Sequence, residues 1–139
     1  MTNQIFSRFT TQHKVRPDDI DMFNHVHSSK YLDYVLAARY EQMDVNYGMA
    51  MEDFLKMGYG WVVKTAKVNF KRPLTLSDFF LVTTGLTEIH KYGCRILFEI
   101  TNPKTNKTSA DGYFEFVMIC LKTGKAEALT PPIIEKYSI

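Results

Sequence analysis

A carboxylate lies a short distance before a predicted helix start near the N-terminus of this sequence. Asp21 precedes a segment of helical apolar spacing that begins near Ser28. The first backbone N–H groups of an α-helix have no partner within the helix, and the helix dipole adds partial positive charge there. Such donors suit a polarised carbonyl or a developing oxyanion, and a nearby carboxylate can act as a nucleophile or as a base for water. The combination indicates acyl transfer.

Several residues of this stretch also have structural interpretations. Asp21 could be only a turn residue, because aspartate side chains accept hydrogen bonds from nearby backbone groups. We expect Asp19 to support the loop or to pair with Arg16. Neither Ser28 nor Ser29 lies in the Gly-x-Ser-x-Gly surroundings of a nucleophile elbow. A serine at a helix start commonly caps the helix, so we expect a cap there.

The histidines and cysteines offer no complete metal site. His25 and His27 alternate along an extended segment, but zinc requires three or four ligands and no third one is placed nearby. We therefore expect no metal, and we interpret His25 as a hydrogen-bonding residue or the edge of a binding pocket. Cys94 and Cys120 lie in apolar runs without metal-ligand spacing, and we expect them to be reduced core residues.

Composition restricts the class of protein. The chain has 139 residues, of which 45% are hydrophobic, and a net charge of +2. This length suits one domain, residues 1–139, that buries about two-thirds of its unfolded surface. The charge is too small to indicate nucleic-acid or membrane partners. Neither a signal peptide nor an apolar run of about 18 residues is seen, so we expect a cytoplasmic protein.

Apolar spacing predicts one long helix, from Ser28 to Asn46, with Gly48 as its C-terminal stop. Its buried stripe is expected to contain Tyr31, Leu32, Val35, Ala38 and Met43. Shorter helices are predicted from Met51 to Met57 and after Pro131-Pro132.

Alternating patterns predict strands on both sides of these helices. They cover residues 6–15, 61–72, 79–87, 94–100 and 110–121, with a short last strand after Thr123-Gly124. One long helix among antiparallel strands indicates an α+β fold. In the most economical packing, a curved antiparallel sheet of five or six strands wraps around the long helix.

The predicted sheet has more apolar surface than one helix can cover. The strands at 79–87 and 110–121 are apolar on both faces. Free strand edges and exposed apolar faces favour self-association. We therefore expect a homodimer or homotetramer with active sites at the subunit boundary.

Two motifs resemble those of a known family. The first is Arg16-x-x-Asp19-x-Asp21-x-x-Asn24-His25-Val26-His27-Ser28-x-x-Tyr31, followed by Arg39. It resembles the signature of the 4-hydroxybenzoyl-CoA thioesterase family, whose members are hotdog-fold acyl-CoA hydrolases. The second, Asn69-Phe70-Lys71-Arg72-Pro73-Leu74, is similar to the family's aromatic-x-Arg-Pro strand end. The resemblance covers nearly the whole chain.

The resemblance implies a hotdog-fold acyl-CoA thioesterase without a metal or redox cofactor. Asp21 falls on the catalytic carboxylate, and the backbone N–H near Ser28 falls on the donor to the thioester carbonyl. We expect substrate contacts from His25, Tyr31, Arg72 and Lys91. Four cations, Lys71, Arg72, Lys91 and Arg95, could bind the phosphates of coenzyme A. A single exposed cation is more commonly only solvated, and Lys91 is the strongest candidate because family members tend to be basic in that turn.

The sequence departs from the family pattern at several positions. Asn24 replaces the usual Gly, His27-Ser28 replaces Asn-Asn, and Leu36 stands where many relatives carry a Glu. Whether Asp21 is a nucleophile or a base stays open, as do the acyl group and the choice between coenzyme A and an acyl carrier protein. The alternative is a non-catalytic acyl-CoA or acyl-carrier-protein binding module. A hotdog dehydratase would need a catalytic pair that this sequence does not suggest.

Overall fold

Five antiparallel strands form one sheet in this computed structural model, which describes residues 6–139. The strands are β1 (Arg8–Lys14), β2 (Tyr59–Phe70), β3 (Phe79–Ile89), β4 (Gly93–Asn102) and β5 (Lys107–Cys120). Their order in the sheet is β1-β3-β4-β5-β2, so β1 and β2 are the two edges. The strands of residues 79–87, 94–100 and 110–121 are therefore confirmed, each with slightly different ends.

Three α-helices accompany the sheet within the described residues: α1 (Ser28–Val45), α2 (Met51–Lys56) and α3 (Pro131–Tyr137). The long helix ends within one residue of its predicted end. Four residues of its predicted stripe, Tyr31, Val35, Ala38 and Met43, are buried. Leu32 is partly buried and packs against the cluster that contains the first three. The α+β arrangement of a curved sheet around one long helix is confirmed.

The core divides into two apolar clusters along α1. The cluster at the N-terminal half of the helix includes Val35, Phe80 and Phe114. The cluster at the C-terminal half includes Met43 and Phe54 together with other side chains from the sheet and from α3. Burial of such large side chains contributes about 1.5–3 kcal/mol each, so α1 is held along its whole length.

The predicted short last strand is not formed. After β5 the chain turns back through a Gly124 N–H bond to the Cys120 carbonyl at 2.7 Å. It then makes only one isolated bridge, between Ile119 and Ala126. Farther on, the Leu129 N–H donates to the Lys91 carbonyl at 2.8 Å, so the segment leaves the edge of β5 and crosses towards the β3–β4 turn. These bonds direct the segment away from continued pairing with β5.

Candidate active site

The Asp21 side chain lies in a tight loop that closes on itself. Ile20 and Val26 form a β-bridge, and the Asp21 N–H donates to the His25 carbonyl at 2.8 Å. One carboxylate oxygen of Asp21 accepts from the N–H of Phe23 at 2.8 Å and of His25 at 3.1 Å. These backbone donors, that of His25 first, lower the pKa of Asp21 below its usual value. The carboxylate is therefore oriented and ionised at neutral pH.

Asn24 holds the turn of this loop in a conformation that the usual Gly would also adopt. Its φ is +62°, in the left-handed region that Asn tolerates better than most residues. Its side-chain oxygen accepts from the N–H of Leu76 at 3.0 Å, and the Val26 N–H donates to the Leu74 carbonyl at 2.9 Å. The replacement of Gly by Asn therefore preserves the turn and adds a bond to the β2–β3 connection.

Backbone donors at the start of α1 have no acceptor in the described part of the chain, and the cap of this helix differs from the prediction. Ser28 is the first helical residue and His27 is the N-cap, with no side-chain cap bond. The serine cap expected at Ser28 or Ser29 is therefore wrong, since both residues lie inside the helix. The His27 N–H donates to the Asp19 backbone carbonyl, and the Lys30 N–H donates to the His27 backbone carbonyl. No acceptor within residues 6–139 is bonded to the N–H of Ser28 or Ser29.

Asp19 supports the loop, as expected. It is buried, and one of its carboxylate oxygens accepts from the Tyr34 hydroxyl at 2.7 Å and from the Arg16 N–H at 3.2 Å. Burial is the main cause that raises the pKa of Tyr34, and the hydrogen bond to Asp19 raises it further. The Arg16 guanidinium pairs with Asp18 instead. Asp19 and Asp21 thus lie two residues apart in the sequence but have different environments, because Asp19 is buried and Asp21 is only partly buried.

Three of the four predicted substrate contacts lie at the same end of the sheet as Asp21. His25 is exposed on the Asp21 loop. Tyr31 is only 4% exposed, and its hydroxyl accepts from the Leu74 N–H at 3.1 Å. Arg72 is exposed and donates to the Thr108 carbonyl at 3.2 Å. The described contacts of Tyr31 belong to the core, and substrate contact by these residues stays a prediction.

Lys91, the fourth, lies at the opposite end. It follows β3 in the β3–β4 turn, where the His90 N–H donates to Gly93, whereas the Asp21 loop adjoins the start of β3 near Leu74. The 11 residues of β3 span roughly 34 Å at about 3.4 Å per residue. One chain therefore does not bring Lys91 to Asp21.

An apolar cavity of about 330 Å³ lies at the Lys91 end, between α1, the sheet and α3. Its lining includes Leu36, Arg39 and Tyr40 of α1, and Trp61 and Val63 of β2. Cys94 also lines it, and burial raises the pKa of this thiol to about 11. Cys94 and Cys120 are both half-buried and unpaired. The sequence did not predict this cavity, because its lining comes from segments far apart along the chain.

Neither a metal site nor a membrane-spanning helix is found in the described part of the chain. Across residues 6–139, no three His, Cys, Asp or Glu side chains group in a way that could hold a metal ion. No helix there is both long and apolar enough to cross a membrane.

Comparison with known proteins assigns the family. A sequence profile described as the Thioesterase-like superfamily matches residues 15–136. The chain belongs to this superfamily. The Long-chain acyl-CoA thioesterase FadM of Escherichia coli (strain K12) is 30% identical over 126 residues, covering 91% of this chain and 94% of that protein.

Solved structures agree with this family assignment. The YbaW probable thioesterase from Escherichia coli superposes with a TM-score of 0.80 at 29% identity, covering 93% of this chain and 96% of that one. The DHNA-CoA thioesterase from Staphylococcus aureus has a TM-score of 0.88 at 22% identity, covering 94% and 89%. The latter likeness shows the fold alone. The hotdog fold and the thioester hydrolase class expected from the motifs are confirmed.

Proposed function

We propose that this thioesterase hydrolyses acyl-CoA thioesters, with Asp21 as its nucleophile or general base. The observation that carries the proposal is the Asp21 carboxylate, which is ionised and oriented by two backbone N–H groups just before the start of α1. The relative FadM, a long-chain acyl-CoA thioesterase by name, supports coenzyme A as the thiol. An acyl carrier protein would present the same thioester, and the cytoplasmic location stays a prediction.

The proposed chemistry needs only this chain's own groups. The free N–H groups of Ser28 and Ser29 would polarise the thioester carbonyl, an effect worth roughly 100- to 1000-fold per donor. Asp21 would attack that carbonyl and release the thiolate, forming an anhydride that water then hydrolyses, or it would take a proton from a water that attacks the carbonyl directly. A thiolate leaves readily, so no strong general acid is required.

The proposed active unit is a homodimer, or a homotetramer of two dimers, joined along β2. Edge strands that stay free are commonly short and charged. The β1 edge, Arg8–Lys14, has seven residues and is mostly polar, whereas β2 has 12 residues and exposes Val62 and Val63. Met22 and Phe23, 91% and 74% exposed beside Asp21, also favour cover by a second chain.

This pairing would complete the substrate site. Two copies of β2 related by a twofold axis run antiparallel, so the Phe70 end of one meets the Tyr59 end of the other. The Asp21 loop adjoins the Phe70 end through Leu74, and the cavity and Lys91 adjoin the Tyr59 end. A dimer would therefore bring the Asp21 loop of one chain towards the cavity and Lys91 of its partner.

The test is thiol release from a panel of acyl-CoAs, followed with a disulfide dye. Saturated, unsaturated and aryl thioesters of increasing length would be compared at one enzyme concentration. We expect multiple-turnover thiol release from at least one class. Tight binding of acyl-CoA with no thiol release from any substrate would support the non-catalytic binding module instead.

A further inference from the structure

Arg39 is a buried cation in the wall of the otherwise apolar cavity. It is 5% exposed, and its Nη1 donates to the Tyr47 hydroxyl and to Thr84 Oγ1, both at 3.0 Å. The Thr84 hydroxyl in turn donates to Gln42 Oε1. The Tyr47 ring covers one face of the guanidinium, with the Arg39 Cζ 4.5 Å from its centroid. One nitrogen and one face of the group are therefore fixed.

This cation has no carboxylate partner within the chain. No Asp, Glu or C-terminal carboxylate of residues 6–139 forms an ion pair with Arg39, and residues 1–5 contain no acidic side chain. Position 36 lies one helical turn earlier and lines the same cavity, but it is Leu. Removing a charge from water without a counter-charge is unfavourable, so a ligand that supplies one is favoured.

The unused donors of Arg39 form a carboxylate-shaped edge. Neither Nε nor Nη2 bonds to an acceptor in residues 6–139. Among described side chains, the only buried N or O atom without any partner is Trp61 Nε1, so the two free nitrogens of Arg39 retain accessible surface. Arg39 is one of the residues that line the cavity. The Nε–Nη2 edge accepts a carboxylate through two parallel hydrogen bonds.

We propose that the cavity receives an acyl group whose far end bears a carboxylate, and that Arg39 binds this carboxylate. The inference rests on the proposed acyl-CoA thioesterase activity and names its substrate class: thioesters of dicarboxylic acids. The apolar walls would hold the methylene chain. The Tyr137 hydroxyl, which also lines the cavity, already donates to the Met49 carbonyl at 2.5 Å, and Arg39 is the one cation among the described lining residues.

The first experiment compares coenzyme A thioesters of equal length that end in a methyl, a hydroxyl or a carboxylate. Octanoyl-CoA and its ω-hydroxy and ω-carboxy counterparts form one such set, with longer sets beside it. We expect kcat/KM to be at least tenfold higher for the carboxylate than for the methyl member. Equal gains for hydroxyl and carboxylate would overturn the anion site, as would a preference for methyl. Hydrolysis of none of them would instead contradict the proposed function.

The second experiment supplies the missing carboxylate from the protein. Leu36→Glu places an acid one turn before Arg39, and Leu36→Gln is the neutral control of the same size. We expect the preference for ω-carboxylate to fall about tenfold in Leu36→Glu relative to Leu36→Gln, because the new side chain would occupy the guanidinium edge. Equal preferences in the two variants would overturn the proposal.

A binding measurement separates this site from catalysis. Octanoate should raise the melting temperature of the wild-type protein more than 1-octanol does, and Arg39→Met should remove the difference. If Arg39→Met does not fold, the Leu36→Glu and Leu36→Gln pair serves for the same comparison. Equal shifts with octanoate and 1-octanol in the wild-type protein would overturn the anion site.

Discussion

Asp21 and Asp19 differ in role because of their backbone surroundings. The Asp-x-Asp spacing and the family resemblance singled out Asp21 from the sequence. Asp21 lies just before helix N–H groups that have no bonded acceptor in residues 6–139, and its catalytic role stays a prediction. The role of Asp19 in supporting the loop was also predicted. The residue that caps α1 was not, because a Ser at a helix start cannot be assigned to the cap or to the first helical position from its type alone.

Asp21→Asn tests the proposed catalytic carboxylate. The amide oxygen can still accept from the N–H groups of Phe23 and His25, but it can neither attack nor take a proton. We expect kcat to fall roughly 100- to 10,000-fold with little change in melting temperature. Asp18→Asn is the control, an exposed neighbour whose partner is Arg16. An Asp21→Asn enzyme that kept more than a tenth of the wild-type rate would contradict the assignment.

The pH dependence follows from the direction of the Asp21 pKa. Its backbone donors depress the pKa, so the reactive ionised form is lost only below the ordinary value of about 3.9. Any stability from those bonds is likewise present above that value and lost as the pH falls through the lowered pKa. We expect kcat/KM to show no acid limb down to about pH 5. An acid limb between pH 6 and 7 would implicate a group other than Asp21.

We predict that Asn24 affects stability and activity through its backbone conformation as much as through its side chain. Asn24→Ala puts a less tolerant residue at φ +62° and removes the bond to Leu76, so we expect a stability loss of about 1–3 kcal/mol and a lower kcat. Asn24→Gly keeps the turn and should lose only the side-chain bond. Denaturant unfolding and thiol release would rank the two variants. A larger loss for Gly than for Ala would show that the turn conformation is not the cause.

At the level of elements, the sequence predicted those with long regular patterns. The helix Ser28–Val45 and the strands β3, β4 and β5 have enough residues for their periods to be read. The segment after Thr123-Gly124 has few alternating residues, and its path is set by contacts with Lys91 and Met118 rather than by its own pattern. The apolar cavity is a product of packing between elements, so no local pattern predicts it.

The proposed dimer edge can be tested on β2. Val62→Lys adds charge to an exposed position of this edge, while Thr10→Lys does the same on the β1 edge. We expect Val62→Lys to shift the protein towards a single chain of 16.1 kDa and to lower its activity. Thr10→Lys should change neither. The measurement is light scattering at micromolar concentration with parallel thiol-release assays, and the reverse pattern would assign the interface to β1.

At the level of the whole molecule, the length of β3 separates the proposed catalytic and binding groups. The Asp21 loop bonds to Leu74 and Leu76 in the connection that leads into β3, and Lys91 lies two residues after the last residue of β3. A sequence motif can identify both residues but not the distance between them, which depends on sheet topology. This separation is the reason that a second chain enters the proposed site.

Dilution tests this arrangement without any substitution. If each site contains parts of two chains, activity per chain must fall when the dimer dissociates. We expect the loss of specific activity and the fall in scattering mass to share one concentration midpoint. A fully active species with the 16.1 kDa mass of one chain would contradict the shared site.

The hydrogen bonds that connect Arg39, Thr84 and Gln42 also fix the position of α1 along β3. Apolar contacts are non-directional, so a purely apolar interface would hold the helix to the sheet without fixing its position along the strands. A slide of one turn, about 5.4 Å, would leave these buried polar groups unpaired. These hydrogen bonds between α1 and β3 therefore set where the first turn of the helix lies. They also set the distance between the Ser28 N–H and the Asp21 loop.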